Sequence, residues 1–355
     1  MDGRKTTCFQ LLCDINVSHQ KGTSMTKRKI SGIAIFYYFI LRDETFREQH
    51  LERIRKAAPE ADILIIKSKK DWTDDVAQKC ASFDIFLGVL LDAWIDKLPN
   101  LKWAQLASAG VDRVLKSPEV MNRDVVLTNA SGVHAIPISE HILSLMFSFA
   151  RNLPQHMRSQ LAGKWERQAE IIELEGSTVG LIGVGKIGEK TAQKAKALNM
   201  KVLGVRRNPD RSSPYVDKMV GPDGLHDVLA ASDWVVVTAA GTTETDGLIG
   251  EPELAVMKKS AVIINVARGS LIREDALVRA LQEKRIAGAG LDVFETEPLP
   301  EDSPLWQMPN VIITPHVAGG TPNYIDRLMD IFVENLKRYQ AGEPLINVVD
   351  KNLGY

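Results

Sequence analysis

A glycine-rich hexapeptide, Gly183-Val184-Gly185-Lys186-Ile187-Gly188, lies between an apolar run at 179–183 and an amphipathic stretch at 187–198. It constrains the fold more than any other feature of this 355-residue chain. A strand that turns at once into a helix needs small residues at the junction. The helix start then offers unpaired backbone N–H groups and the positive end of its dipole. Glycines at the first, third and sixth positions let a pyrophosphate approach those amides, so Gly183, Gly185, Lys186, Ile187 and Gly188 form a candidate dinucleotide loop.

The elements around this unit alternate. Strand-like runs follow at 201–205, 234–238, 261–266, 288–293 and 311–314. An earlier series at 33–39, 63–66, 83–89, 101–106 and 125–127 is interleaved with helical stretches at 46–58 and 74–80. Such alternation predicts parallel sheets with crossover helices, and the second series reads as a doubly wound α/β sheet. The most apolar stretch, 136–150, is too short to span a bilayer and carries Glu140 and His141, so a buried helix is expected. A last helix is predicted over 322–340, with Thr321 as N-cap, Pro322 at its first position and Gly342 beyond its end. Its apolar positions Ile325, Leu328, Met329, Phe332 and Leu336 share one face, which must be covered.

Composition narrows the partners. The chain carries 44 basic and 45 acidic side chains without a block of one sign. Neither nucleic acid nor a membrane is implied, and a small-molecule partner is expected. Three cysteines, Cys8, Cys13 and Cys80, have neither a disulfide framework nor metal-ligand spacing, so no metal is expected and a reducing cytoplasm fits. Residues 1–25 are read as a disordered extension, or as the result of a start assigned upstream of Met25. Asp14 interrupts their only apolar patch, unlike a secretory signal.

The second strand of the glycine-loop unit bears on the choice of dinucleotide. An acid about 20 residues past the first glycine would bind the ribose 2′-hydroxyl of NAD. This strand ends instead in Arg206-Arg207-Asn208. Guanidinium groups pair with a 2′-phosphate, so NADP(H) is favoured, with NAD(H) use also open.

Three later segments each follow an apolar run: Asn265-Val266-Ala267-Arg268-Gly269, Asp292 to Pro298, and Thr314-Pro315-His316-Val317-Ala318-Gly319. Arg268 offers a fork of donors for a carboxylate and a carbonyl oxygen. His316 is a proton donor of the type that works near neutral pH, and Glu297 is a carboxylate to support it. The set suits reduction of a 2-keto acid. All three residues follow strands of one doubly wound sheet, at the edge where ligands bind in such folds.

With Ser108-Ala109-Gly110-Val111-Asp112, these ordered motifs resemble the D-isomer-specific 2-hydroxyacid dehydrogenases, of the glyoxylate/hydroxypyruvate reductase-like, NADP-preferring kind, from about Ile30 to Val348. The resemblance implies a flavodoxin-like substrate-binding domain at 26–130 plus 321–355 and a Rossmann dinucleotide-binding domain at 131–320. The helix at 136–150 would cross between them, and the last helix would return. Arg268, Glu297 and His316 would be catalytic. Arg268 would hold the substrate carboxylate and polarise its carbonyl, His316 would protonate the carbonyl oxygen, and Glu297 would hydrogen-bond the imidazole. Asp292 would contact the nicotinamide carboxamide, with Thr238 and Ala267 also at the cofactor, while Gly88, Val89, Ser108 and Gly110 would line the substrate side. The resemblance also implies a homodimer, formed through the dinucleotide domain as is usual among relatives.

Comparison with the family pattern narrows the expectation. Relatives carry Pro-Leu-Thr after the strand ending at Thr238, where this chain has Ala239-Ala240-Gly241-Thr242-Thr243-Glu244-Thr245, a loop expected to be more flexible. The carboxylate of Glu297 argues against the related formate dehydrogenases, whose histidine partner is glutamine. No regulatory domain of the kind found on many phosphoglycerate dehydrogenases is expected after Val348. The expected activity is an NADP(H)-preferring reductase of glyoxylate or hydroxypyruvate. An NAD-dependent dehydrogenase of a bulkier D-2-hydroxy acid and a dinucleotide-sensing, corepressor-like protein are the alternatives.

Overall fold

Both series of apolar runs form sheets in which every pairing is parallel. The computed structural model describes residues 28–36, 48–90, 95–111, 113–167 and 171–353. The expectations for 1–25, for 37–39 and 46–47, and for Asp112 lie outside these residues.

The first sheet contains β1 (Gly32–Phe36), β2 (Asp62–Ile66), β3 (Ile85–Gly88), β4 (Trp103–Leu106) and β5 (Val126–Thr128), ordered β2-β1-β3-β4-β5. This is the flavodoxin-like order. The second contains β6 (Thr178–Ile182), β7 (Lys201–Val205), β8 (Lys218–Val220), β9 (Trp234–Val237), β10 (Val262–Asn265), β11 (Gly288–Leu291) and β12 (Val311–Ile313). Its order, β12-β11-β10-β9-β6-β7-β8, reverses direction beside β6, as in a Rossmann sheet. Interior strands such as β9 and β10 are buried along their whole length, because helices cover both faces of a parallel sheet. Parallel strands share one carboxyl edge. The loops after β3 and β4 therefore emerge together on the first sheet, and those after β6, β7, β9, β10, β11 and β12 on the second.

The helix Ala135–Ala150 packs on the second sheet, with Ile142, Leu145 and Met146 in its core. The expectation of a buried helix holds for one face only, since Ile136 and Phe147 are exposed. The last helix is Tyr324–Ala341, and its N-cap is Asn323 rather than Thr321. The Thr321 hydroxyl instead accepts from the Asn323 N–H, so Thr321 and Pro322 form a turn before the helix. Gly342 closes the helix at φ 71°, in the left-handed region that glycine adopts without a Cβ clash.

The buried face of this helix joins the core of the first sheet. Ile325, Leu328, Met329, Phe332 and Leu336 pack with Ile33, Leu51, Ile54, Leu87 and Trp103. A satisfied polar network runs through the same interface. The Trp103 indole donates to Thr128 Oγ1 at 2.8 Å, Thr128 donates to Gln105 Oε1 at 2.8 Å, and Asn335 Nδ2 donates to the same oxygen at 3.3 Å. Beyond the helix, Val348 bridges Thr128 in antiparallel sense. The first sheet is thus completed by the far end of the chain. Phe332→Ala is expected to lower the unfolding free energy by about 3–5 kcal/mol; chemical denaturation measures this, and a loss below about 1 kcal/mol would contradict the packing described.

Candidate active site

Each glycine of the 183–188 loop has its own physical requirement. Gly183 has φ +100°, and a Cβ there would stand 2.5 Å from the Ala239 backbone. At Gly188 a Cβ would lie 2.5 Å from the Gly183 carbonyl, where the helix Lys186–Ala197 meets β6. Gly185, the helix N-cap, has no atom within 4 Å of a built Cβ. Open space therefore lies beside the amide-bearing end of a 12-residue helix, as a pyrophosphate requires. Thr238 stands across this turn and donates to the Gly183 carbonyl at 2.6 Å. These residues fit a dinucleotide. Lys186 is exposed and Ile187 half-buried at the same helix end.

Arg206 and Arg207 follow β7 on the same edge. Arg206 is half-buried and donates to the Arg211 carbonyl at 3.3 Å, while Arg207 is exposed and forms an ion pair with Glu244. That pairing has no counterpart in the sequence reading, because Glu244 lies on a separate loop. The loop itself, expected to be flexible, is closed by hydrogen bonds. Thr245 Oγ1 accepts from the Thr242 N–H at 2.8 Å and donates to the Ala240 carbonyl at 2.7 Å. Gly241 backs directly onto the Arg268 side chain, with a built Cβ 2.8 Å from its Cγ.

Arg268 is set by a turn that Asn265 makes with its own side chain. The buried amide accepts from the Ala267 N–H at 3.1 Å and donates to the Arg268 carbonyl at 2.9 Å. The Arg268 guanidinium also donates to the Ala267 carbonyl at 2.7 Å. Gly269 then passes so close to the loop after β11 that a Cβ would overlap the Phe294 carbonyl, 1.9 Å away. That contact locks the Arg268 loop to the segment bearing Glu297. A reciprocal pair of hydrogen bonds between Glu274 and Glu295 adds to it, and burial pushes the Glu274 carboxyl above its ordinary range.

Glu297 and His316 meet directly. His316 Nδ1 is 2.7 Å from Glu297 Oε2, while Glu297 Oε1 accepts from the Phe294 N–H at 3.1 Å. A carboxylate accepts, so Nδ1 donates and Nε2 is left for another partner. Both side chains remain open to solvent, at 53 % and 37 % exposure. His316 itself has φ 51°, an uncommon left-handed conformation for a side-chain-bearing residue. Asp292 holds it there. Its carbonyl accepts from the His316 N–H at 2.9 Å, and its buried carboxylate accepts from Val317 N–H at 2.9 Å, Ala318 N–H at 3.0 Å and the Thr314 hydroxyl at 2.5 Å.

Thus Arg268, Glu297 and His316 follow the adjacent strands β10, β11 and β12. On the first sheet, Gly88 ends β3 at φ +139°, with the Phe36 carbonyl only 2.4 Å from a built Cβ, and half-buried Val89 follows. The Ser108 hydroxyl donates to the Gly110 carbonyl at 2.7 Å beyond β4. Asn265 and Glu244 are the residues of this region whose roles the sequence does not announce, while His134 and His141, expected to be structural, hydrogen-bond to Gly319 and Thr314. A helix spacing of seven between His134 and His141 was the available signal for the two histidines.

Residues 143–318 match the profile of the D-isomer specific 2-hydroxyacid dehydrogenase, NAD binding domain. A D-3-phosphoglycerate dehydrogenase of Methanocaldococcus jannaschii is 34 % identical over 312 residues, covering 86 % of this chain and 54 % of that protein. The chain spans little more than half the length of that relative. A glyoxylate reductase of Thermofilum pendens is 33 % identical over 304 residues, covering 82 % of this chain and 89 % of that protein. The structure of a D-isomer specific 2-hydroxyacid dehydrogenase from Xanthobacter autotrophicus Py2, in complex with NADPH and MES, superposes with a TM-score of 0.78 at 31 % identity, covering 92 % of this chain and 100 % of that one. Gly183→Ala should raise the Kd for a nicotinamide dinucleotide by at least roughly tenfold, because the methyl meets backbone and not a movable side chain. Calorimetric titration checks this, and unchanged binding would remove the loop from the cofactor site.

Proposed function

This chain belongs to the D-isomer specific 2-hydroxyacid dehydrogenase family, and we propose that it is an NADP(H)-preferring reductase of small 2-keto acids of the glyoxylate or hydroxypyruvate type. The observation that carries the reading is the Glu297–His316 pair, one and two strands away from Arg268, at the carboxyl edge that also bears the glycine loop. The glyoxylate reductase among its relatives supports the substrate class. In this reading residues 26–130 with 321–355 bind substrate and 131–320 bind the dinucleotide.

When bound, the nicotinamide supplies a hydride to the substrate carbonyl carbon. Gly183, Gly185, Lys186, Ile187 and Gly188 would hold the pyrophosphate, Arg206 and Arg207 the 2′-phosphate, and Thr238, Ala267 and Asp292 the nicotinamide side. Asp292 would do so with the acceptor capacity that its bonds to the 314–318 loop leave over. As negative charge grows on the carbonyl oxygen, the Arg268 guanidinium stabilises it and His316 Nε2 delivers a proton to it. Glu297 fixes the imidazole with Nδ1 as donor. Arg268 also binds the substrate carboxylate, and backbone near Gly88, Val89, Ser108 and Gly110 closes the other side.

His316→Gln should lower kcat by roughly 100- to 10,000-fold while leaving NADPH binding intact. Near-normal turnover would remove it as the proton donor. A second reading, an NAD(H)-using dehydrogenase of a larger D-2-hydroxy acid, is favoured by the Arg207–Glu244 ion pair, which leaves less positive charge for a 2′-phosphate, and by the phosphoglycerate dehydrogenase relative. Steady-state assays over a 2-keto acid panel with NADPH and NADH in parallel separate the two. The double change Arg206→Ala, Arg207→Ala should weaken NADPH by roughly tenfold or more and leave NADH little changed. Equal or better efficiency with NADH in the unchanged protein would overturn the NADP(H) preference.

The proposal includes a homodimer. Exposed apolar side chains recur along one stretch of chain, at Phe147, Leu153, Met157, Leu161, Trp165, Ile171 and Ile172, with Leu161 88 % and Trp165 95 % exposed. Such a concentration signals an interaction surface. Leu161→Glu should shift the solution mass from dimer to monomer in light scattering, and a monomeric unchanged protein would refute the assembly.

A further inference from the structure

Two histidines of the helix Ala135–Ala150 bracket the loop that carries His316. His134 is the helix N-cap and His141 lies two turns along, so both are on one face. His141 Nε2 is 3.0 Å from Thr314 Oγ1, and the Thr314 hydroxyl is 2.5 Å from Asp292 Oδ1. A threonine hydroxyl has one proton, and the carboxylate can only accept. Thr314 therefore donates to Asp292 and accepts from His141, which fixes a hydrogen on His141 Nε2. At the other end of the loop, His134 Nδ1 is 3.0 Å from the Gly319 carbonyl, so this nitrogen donates. Burial holds the His134 pKa below its ordinary value, consistent with a neutral ring. Gly319 is shaped to this contact, since a Cβ there would stand 2.9 Å from the same nitrogen.

We propose that His141 is a positioning residue for His316, acting through Thr314 and Asp292, with His134 anchoring the far end of the loop. The proposal rests on the reading of His316 as proton donor. The donor chain runs from the His141 imidazole to the Thr314 hydroxyl to the Asp292 carboxylate, which also gathers the Val317 and Ala318 amides. Removing the first donor leaves Thr314 Oγ1 short of a partner and frees it to rotate away from Asp292. The left-handed turn at His316 then loses one of the contacts that over-determine it. A displacement of about 1 Å in a proton donor can cost about a hundredfold in rate.

The test compares His141→Phe, which keeps a ring and removes the donor, with His141→Gln, which keeps an N–H. The phenylalanine variant should lose roughly ten- to hundredfold in kcat, with KM for the keto acid and Kd for NADPH little changed. Glutamine should restore most of the loss. Amide hydrogen exchange at Val317 and Ala318, read on the full chain without substrate, should accelerate in His141→Phe and return towards normal in His141→Gln. Unchanged exchange at both amides in a folded phenylalanine variant, or a KM effect equal to the kcat effect, would overturn the proposal. Should His141→Phe fail to fold, Thr314→Val breaks the same chain at its middle and must give the same exchange pattern. If the unchanged protein reduces no keto acid, the functional reading falls, and the exchange data still decide whether His141 holds the loop.

Discussion

The Asp292 carboxylate, with 1 % of the residue exposed, is the interaction on which the arrangement of the catalytic edge depends. It faces the Thr314 hydroxyl and two successive backbone amides, and its own carbonyl takes the His316 N–H. A buried carboxylate without donors would be strongly unfavourable, so the loop must fold around it. The left-handed backbone at His316 follows from that requirement, and with it the direction in which the imidazole leaves the sheet. Glu297 then needs only to meet a ring whose position is already fixed.

Parallel pairing gathers the remaining groups. Residues as distant in sequence as Gly183 and His316 emerge on one edge because every strand of the second sheet runs the same way. Close backbone approaches then hold neighbouring loops in register. Gly269 against Phe294 and Gly183 against Ala239 leave no room for a side chain, so each loop is located by the next. Rigid scaffolding of this type lets a site made from loops keep its geometry.

Much of this was legible in the sequence, for physical reasons that differ by element. The interior strands of the second sheet are continuous apolar runs because both faces are covered, and the ends of β10, β11 and β12 coincide with the motifs that carry Arg268, Glu297 and His316, whereas the edge strand β8, which opens on the exposed Lys218, has no such run. The pairing of Glu297 with His316 could be anticipated because both lie in short segments after successive strands. The limits were set by contacts between distant segments. Arg207 with Glu244, and His141 with Thr314, join loops or helices whose mutual placement no local pattern encodes. The last helix starts two residues later than expected because Thr321-Pro322 has the composition of a cap, while the Thr321 hydroxyl is taken up by the Asn323 N–H in the turn before it. Asn265 had no local signature either, since an asparagine at a strand end is as suitable for solvent as for the turn it makes.

The return of the chain to the first sheet has a consequence for the order in which the molecule can assemble. The core that contains Ile33, Ile54 and Trp103 is finished by Phe332 and Leu336, and the edge of β5 by Val348. During synthesis from the N-terminus, the first sheet must therefore wait, with an apolar face uncovered, until the helix Tyr324–Ala341 has left the ribosome. The second sheet has its last strand by Ile313, before the returning helix begins at Tyr324, so its strands are all made by the time the first sheet can be covered.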